Sequence, residues 1–331
     1  MRDRPALLGT IAVVLAASSF GLLGVLTRFS YDAGLQPLPF VAWRAGFGLL
    51  VVALVVAAGA RTGRPVVDVR RLPRGDRAGL AVAALAALGL NVGMFFGFAL
   101  TTVAIVLLAF YTYPALVAVV AVALGHERLD WIGWSALALA LGGMVLVVAG
   151  GLDGDAAGAT VIHPLGVALG LGAAVCQTIF VTTSRGRFRS LPSEQAMAWV
   201  LLVTTIACAG GSLVAGSDLG GAFRSPTALG LVALTGVIAA GIPSILFLVG
   251  IRAIGGTRAG ILMLIEPLVG VTLAAVVLGE TLRPIQAIGG ASILAGALLL
   301  QRARPDARVG TAREPSLEAI EPAAVPARDG G

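Results

Sequence analysis

The chain has 331 residues, 58% hydrophobic and 12% charged, with a formal net charge of +6 and a mean hydropathy of +0.97. Soluble domains are about one-quarter charged, and a surface facing water needs polar cover that this composition cannot supply. A water-soluble globular domain is excluded, lipid is the implied solvent, and the basic balance reads as a membrane-orientation signal with no nucleic-acid partner.

A membrane-spanning helix needs about 20 apolar residues, and the pattern predicts ten. They cover 6–27, 38–59, 78–98, 102–124, 131–149, 164–184, 195–215, 227–249, 258–279 and 284–301. The first follows Arg2 and Arg4, as a signal peptide would, but its apolar run is too long for a cleaved one. The second carries Trp43 and Arg44. Next comes RTGRPVVDVRRLPRGDR, residues 61–77, with six arginines. This loop fixes topology, and attraction to anionic lipid heads adds about 1 kcal/mol per arginine near the surface. The third span holds Asn91 and the fourth Tyr111 and Tyr113. The turn GHERLDW, with Glu127, leads to the fifth. Gln177 lies in the sixth span and Trp199 in the seventh. The ninth contains Glu266 and Pro267, and the turn GETLRP, with Glu280, leads to the tenth. Residues 302–331 lack apolar periodicity and read as a disordered tail. The short alternating strands of a membrane barrel are absent from the sequence.

All 23 basic residues are arginine. With the N-terminus inside, nineteen arginines fall in inside segments and three outside; without the tail the count is fourteen against three. The rule that positive charge stays inside thus predicts both termini in the cytoplasm.

Residues 104–147 align without a gap on residues 257–300, at an offset of 153. Pro114 falls on Pro267, Glu127 on Glu280 and Gly143 on Gly296. A matched proline and a matched glutamate are strong signals because both residues are rare here. The chain therefore reads as two five-helix units, 6–149 and 164–301. Five is odd, so the units enter the membrane from opposite sides, a common plan of secondary transporters.

Glu266 sits roughly 4 Å from the midplane of its span. A charge there costs about 2.5–3.5 kcal/mol on insertion scales, so it needs a cavity or a partner. Pro267 removes a backbone bond and kinks the helix. Together they suggest a face for substrate-amine recognition or proton coupling, against the alternative of a bonded structural carboxylate. Arg44 lies roughly 6 Å from the midplane on the other side. It can pair with Glu266, grip a substrate carboxylate or snorkel outward. Tyr113 is the repeat mate of Glu266, whereas Tyr111 is expected on a different part of the helix surface. Trp43, Asn91, Gln177 and Trp199 are further polar or amphipathic groups within spans, for which packing competes with lining a cavity. Glu127 and Glu280 precede helix starts and read as structural. The pairs Gly166–Gly170, Gly142–Gly143 and Gly289–Gly290 are expected to let helices approach closely.

Enzyme motifs are missing: there is no HExxH, GxSxG or GxxxxGK[ST]. His126 and His163 lie in separate loops, and Cys176 and Cys208 in apolar runs, so the sequence calls for no metal and no cofactor. The partners expected are a small-molecule substrate and membrane lipids, with room for a homodimer.

Several of these stretches resemble the EamA family of the drug/metabolite transporter superfamily. The P-x12-E spacing of both halves, PLPFVAWRAGFGLL, LTTVAIVLLAFYTYP and EPLVGVTLAAVVLGETLRPIQAIGGASILAGALLL carry the resemblance, which covers residues 6–301. SSFGLLG and AAVCQTIF stand where the family often has a tryptophan. The resemblance implies a ten-helix, all-α membrane protein of two inverted repeats in the inner membrane. It further implies alternating-access transport of amino acids or related metabolites, more often outward. A passive facilitator or channel, and a non-transporting sensor or assembly protein, remain open at this point.

Overall fold

In the computed structural model the residues described are 4–101, 103–125, 128–150, 163–278 and 283–302. Among them the chain forms ten helical rods and no strand. Rod α1 runs as Arg4–Gly21 and, past a break at Leu22, Leu23–Asp32. Rods α2 (Pro37–Arg61) and α3 (Arg74–Leu100) are continuous, while α4 is split into Val103–Phe110 and Tyr113–Ala123. Rods α5 (Trp131–Gly150), α6 (Pro164–Gly186) and α7 (Ser193–Val214) follow. Rod α8 is Pro226–Gly236 and Ile242–Ile254 joined by a π-helical turn, Val237–Gly241. Rod α9 is Gly256–Met263 and Ile265–Leu278, and α10 is Pro284–Arg302. Among the described residues eight helices are long and apolar enough to cross a membrane, and Pro284–Leu299 is a shorter apolar one. Large apolar side chains on the outer faces, such as Leu54, Leu85, Ile206 and Val276, are exposed, as lipid-facing surfaces require.

The packing repeats itself when the halves are exchanged. Contacts of α3 with α6 have their counterpart in α8 with α1, those of α4 with α6 in α9 with α1, and those of α3 with α7 in α8 with α2. The pairs α5–α10, α2–α7 and α4–α9 map onto themselves. Glycines set the close crossings, and they too repeat. A Cβ on Gly97 would lie 3.4 Å from the carbonyl oxygen of Gly166, and one on its mate Gly250 3.3 Å from that of Gly9. In the α5–α10 seam a Cβ on Gly143 would stand 2.5 Å from the carbonyl oxygen of Gly289, and one on Gly296 2.8 Å from that of Ala136. Gly143 and Gly296 are mates at offset 153, as are Ala136 and Gly289. The inverted repeat is thus present in the backbone spacing.

One expectation needs correction. Gly142 makes no close helix contact, for nothing lies within 4 Å of a Cβ placed there; it is on the exposed side of α5 while Gly143 faces the seam. The apolar span 78–98 lies within α3, which begins at Arg74 directly after Pro73. The basic stretch 61–77 is partly ordered by α7: the Gln195 amide donates to the Pro65 carbonyl (3.0 Å) and accepts from the Val67 N–H (3.0 Å). Glu127 and Glu280 lie outside the described residues, as does the tail beyond 302.

Candidate functional site

The split rods α4 and α9 pack on each other between the halves. Their breaks fall at matching positions, Tyr111–Thr112 and Leu264, each just ahead of a proline. Pro114 and Pro267 carry no N–H, so Phe110 and Met263, four residues earlier, lose their helical donors. Each proline then sits in the first turn of a new helical segment, where a missing N–H costs little. Gly260 of α9 lies on Pro114, a Cβ there being 3.4 Å from the proline Cβ.

The breaks bring the candidate polar groups together. Glu266 occupies the first turn of Ile265–Leu278, where the helix dipole favours a carboxylate. The Tyr111 side chain lies within hydrogen-bonding reach of that carboxylate, and Tyr113 is beside it. Both tyrosines are buried and stack with Phe110, at centroid distances of 5.4 and 5.1 Å. Because the helix is interrupted between them, Tyr111 does not point away from the Glu266 side as a continuous helix would demand; it comes within reach of the carboxylate together with the repeat mate Tyr113. The broken α1 closes the other side. A Cβ on Gly21 would lie 2.9 Å from the Glu266 carbonyl oxygen, so only glycine lets α1 approach this turn. Gln177 is buried in α6, which packs on both segments of α4.

Arg44 stands apart from this group. It is buried, its Nη1 donates to the Ala239 carbonyl at 3.0 Å and its Nη2 to Asn91 Oδ1 at 2.8 Å. Asn91 is itself tied to the Ala87 carbonyl at 2.8 Å. Ala239 lies in the π turn of α8, four residues before Pro243, which has no N–H to return to it. Arg44 thus ties α2 to the π turn of α8. Among the described residues no ion pair between Arg44 and Glu266 forms, and the guanidinium is held by the Ala239 and Asn91 oxygens. Gly48, Gly236 and Gly241 bring α2 and α8 close enough for this reach: a Cβ on Gly236 would lie 2.8 Å from the Arg44 carbonyl oxygen. Trp43 is a clamp at the same end, donating from Nε1 to the Leu219 carbonyl at 2.8 Å and meeting Phe223 edge-on at 4.8 Å.

The geometry, two split helices from mirrored halves meeting at a carboxylate, is that of transporters built from inverted repeats. The model of the EamA-like transporter family matches residues 7–149 and 164–302. The chain belongs to the EamA-like transporter family. An uncharacterized transporter from Archaeoglobus fulgidus is 45% identical over 67 residues, which are 20% of this chain and 25% of that protein; the chain thus matches about one-quarter of that relative's length. A crystal structure superposes with a TM-score of 0.75 at 22% identity, covering 89% of this chain and 96% of that one, a likeness of fold. As a member of the EamA-like family the protein is a multi-pass membrane protein of transporter type, which speaks against an enzyme.

Other polar groups of this EamA-like transporter hold elements in place. Trp199 is exposed on the face of α7. At the end carrying loop 61–77, Arg252 donates to the carbonyls of Leu191 (2.8 Å) and Phe188 (3.1 Å) and to Ser193 Oγ (3.1 Å). The Phe188 N–H in turn donates to Asp76 Oδ1 at 3.1 Å. This latch was not foreseen, because Arg252 read as an orientation charge; the signal available was a positive residue set back inside a predicted loop boundary.

Proposed function

We propose that the protein is a secondary transporter that moves an amino acid or related small metabolite, outward, across the inner membrane by alternating access, with both termini cytoplasmic. Glu266 is the coupling carboxylate, alternately bound to Tyr111 and to substrate or proton. The observation that carries this reading is the matched breaks of α4 and α9, which bring Tyr111 of one half within reach of Glu266 of the other. A rocking of the halves has to change that approach, which gives the conformational change a chemical handle. Arg44 keeps α2, α3 and α8 together at the outward end, and the excess of arginine in the inward loops supports the orientation.

The test is efflux from vesicles containing the full chain, with candidate amino acids inside and an imposed pH gradient. Glu266→Gln, at matched expression, is expected to abolish the dependence of efflux on the gradient. An unchanged rate and an unchanged response to pH would remove the carboxylate from the mechanism, and gradient-independent transport by the wild type would replace coupled transport with facilitation.

A further inference from the structure

At the end that carries loops 61–77 and 187–192, a cleft of about 630 Å³ opens between α3, α4 and α6. Its α3 wall is Gly75, Ala78, Gly79 and Val82, spaced to lie on one helix face. Leu124 and Thr182 form the rest of the floor, and Arg187 stands at the rim. The small residues of α3 seat the arginine. A Cβ on Gly79 would lie 2.6 Å from Arg187 Cβ, and one on Gly75 3.1 Å from Arg187 Nη1. The neighbouring backbone is fixed as well: Phe188, at φ 41°, is held by Asp76 through its N–H and by Arg252 through its carbonyl. Arg187 is exposed, its stem laid along the small residues of α3.

Thr182 also belongs to a second groove, of about 210 Å³, which continues between α4 and α6. Leu116, Val120, Val175 and Ile179 line it, and Leu116, Val175 and Ile179 are exposed there. From Arg187 to Val175 is twelve residues, about 18 Å along α6. Half of a bilayer's hydrocarbon core is about 15 Å. A polar-rimmed cleft at a membrane surface, continuous with an apolar groove one leaflet deep, has the shape of a lipid. Arg74 and Arg77 are exposed beside it on α3, so the charge of the rim calls for an anionic headgroup.

We propose that this cleft binds an anionic phospholipid, with its phosphate at Arg187 and one acyl chain in the α4–α6 groove. Its placement in the cytoplasmic leaflet rests on the orientation proposed above; the lipid selectivity does not. Native mass spectrometry of the full chain in detergent, titrated with dioleoyl phosphatidylglycerol or dioleoyl phosphatidylcholine, reads that selectivity directly. The anionic lipid is expected to be retained about fivefold better, the factor contributed by one basic contact. Arg187→Gln should remove most of that preference, and Arg74→Gln with Arg77→Gln the remainder. Ala78→Trp, at an exposed α3 position, should reduce retention of both while leaving the melting temperature in lipid-free detergent unchanged. Equal retention by the wild type overturns the proposal, as does selectivity that survives the arginine substitutions. If Ala78→Trp slows efflux without changing lipid retention, the cleft is a path for substrate and the proposal is wrong. Impermeant labelling of the Arg189→Cys variant tests the orientation separately: selective retention with outside labelling would overturn the leaflet assignment alone.

Discussion

Adjacent glycines in α5 should respond to the same substitution with opposite signs. A methyl group on Gly143 would stand 2.5 Å from the Gly289 carbonyl oxygen and 2.8 Å from the Ile293 nitrogen, both backbone atoms. Ordinary contact begins near 3.4 Å, so the α5–α10 seam has to widen by roughly 1 Å, and overpacking of this kind costs about 1–3 kcal/mol. A methyl on Gly142 meets nothing within 4 Å, and alanine is favoured over glycine in a helix by about 0.8–1.0 kcal/mol. Gly142→Ala is therefore expected to be neutral or stabilising and Gly143→Ala destabilising; the propensity gain is common to both, so they should separate by the overpacking cost, about 1–3 kcal/mol. Gly296→Ala, the mate of Gly143→Ala, should be destabilising too, through the Ala136 carbonyl 2.8 Å away. Reversible unfolding in mixed detergent–denaturant micelles, followed by tryptophan fluorescence, gives the three free energies. If Gly143→Ala falls within about 0.5 kcal/mol of Gly142→Ala, the ordinary range of surface changes, the seam is not where the backbone spacing puts it, and the matched crossings lose their meaning.

Two further outcomes bear on the site. Tyr111→Phe removes the hydroxyl within reach of Glu266; at about 1–2 kcal/mol for a hydrogen bond, efflux in the vesicle assay should fall about five- to thirtyfold. Tyr113→Phe should change it by less than about twofold, since the side chain within hydrogen-bonding reach of the Glu266 carboxylate is Tyr111. Arg44→Met leaves the Ala239 carbonyl and Asn91 Oδ1 without their donor and is expected to cost about 1–3 kcal/mol. A double-mutant cycle with Asn91→Ala should return a coupling near 1 kcal/mol, and a coupling of zero would contradict the bond.

Spans and symmetry were legible in the sequence for a simple reason. Lipid demands long apolar runs, and a duplicated proline at a fixed offset marks a duplicated fold. The same prolines announced kinks, but the consequence of a full break was not readable. Tyr111 and Tyr113 belong to opposite sides of a continuous helix, and only an interruption between them turns both toward Glu266. Arg44 was legible as a buried charge, not as a donor to Ala239, because no sequence pattern marks a π turn. Gly142 and Gly143 are equivalent on paper, and their difference is a matter of which one the helix rotation presents to α10. Arg187 and Arg252 were counted together as topology signals, since charge counting is blind to what each side chain grips.

Arg44 and Pro243 form one unit across 199 positions of chain. In an α-helical register residue 243 would be the donor to the Ala239 carbonyl; a proline stands there, and the arginine donates to that carbonyl. Second-site suppression follows from that arrangement: an Arg44→Met protein should regain part of its lost stability when Pro243→Ala restores an N–H to α8, whereas Pro243→Ala alone leaves the guanidinium a competitor for a carbonyl already served. A screen for revertants of the arginine variant would then find its cure in a different helix, at a residue that the guanidinium itself is not bonded to.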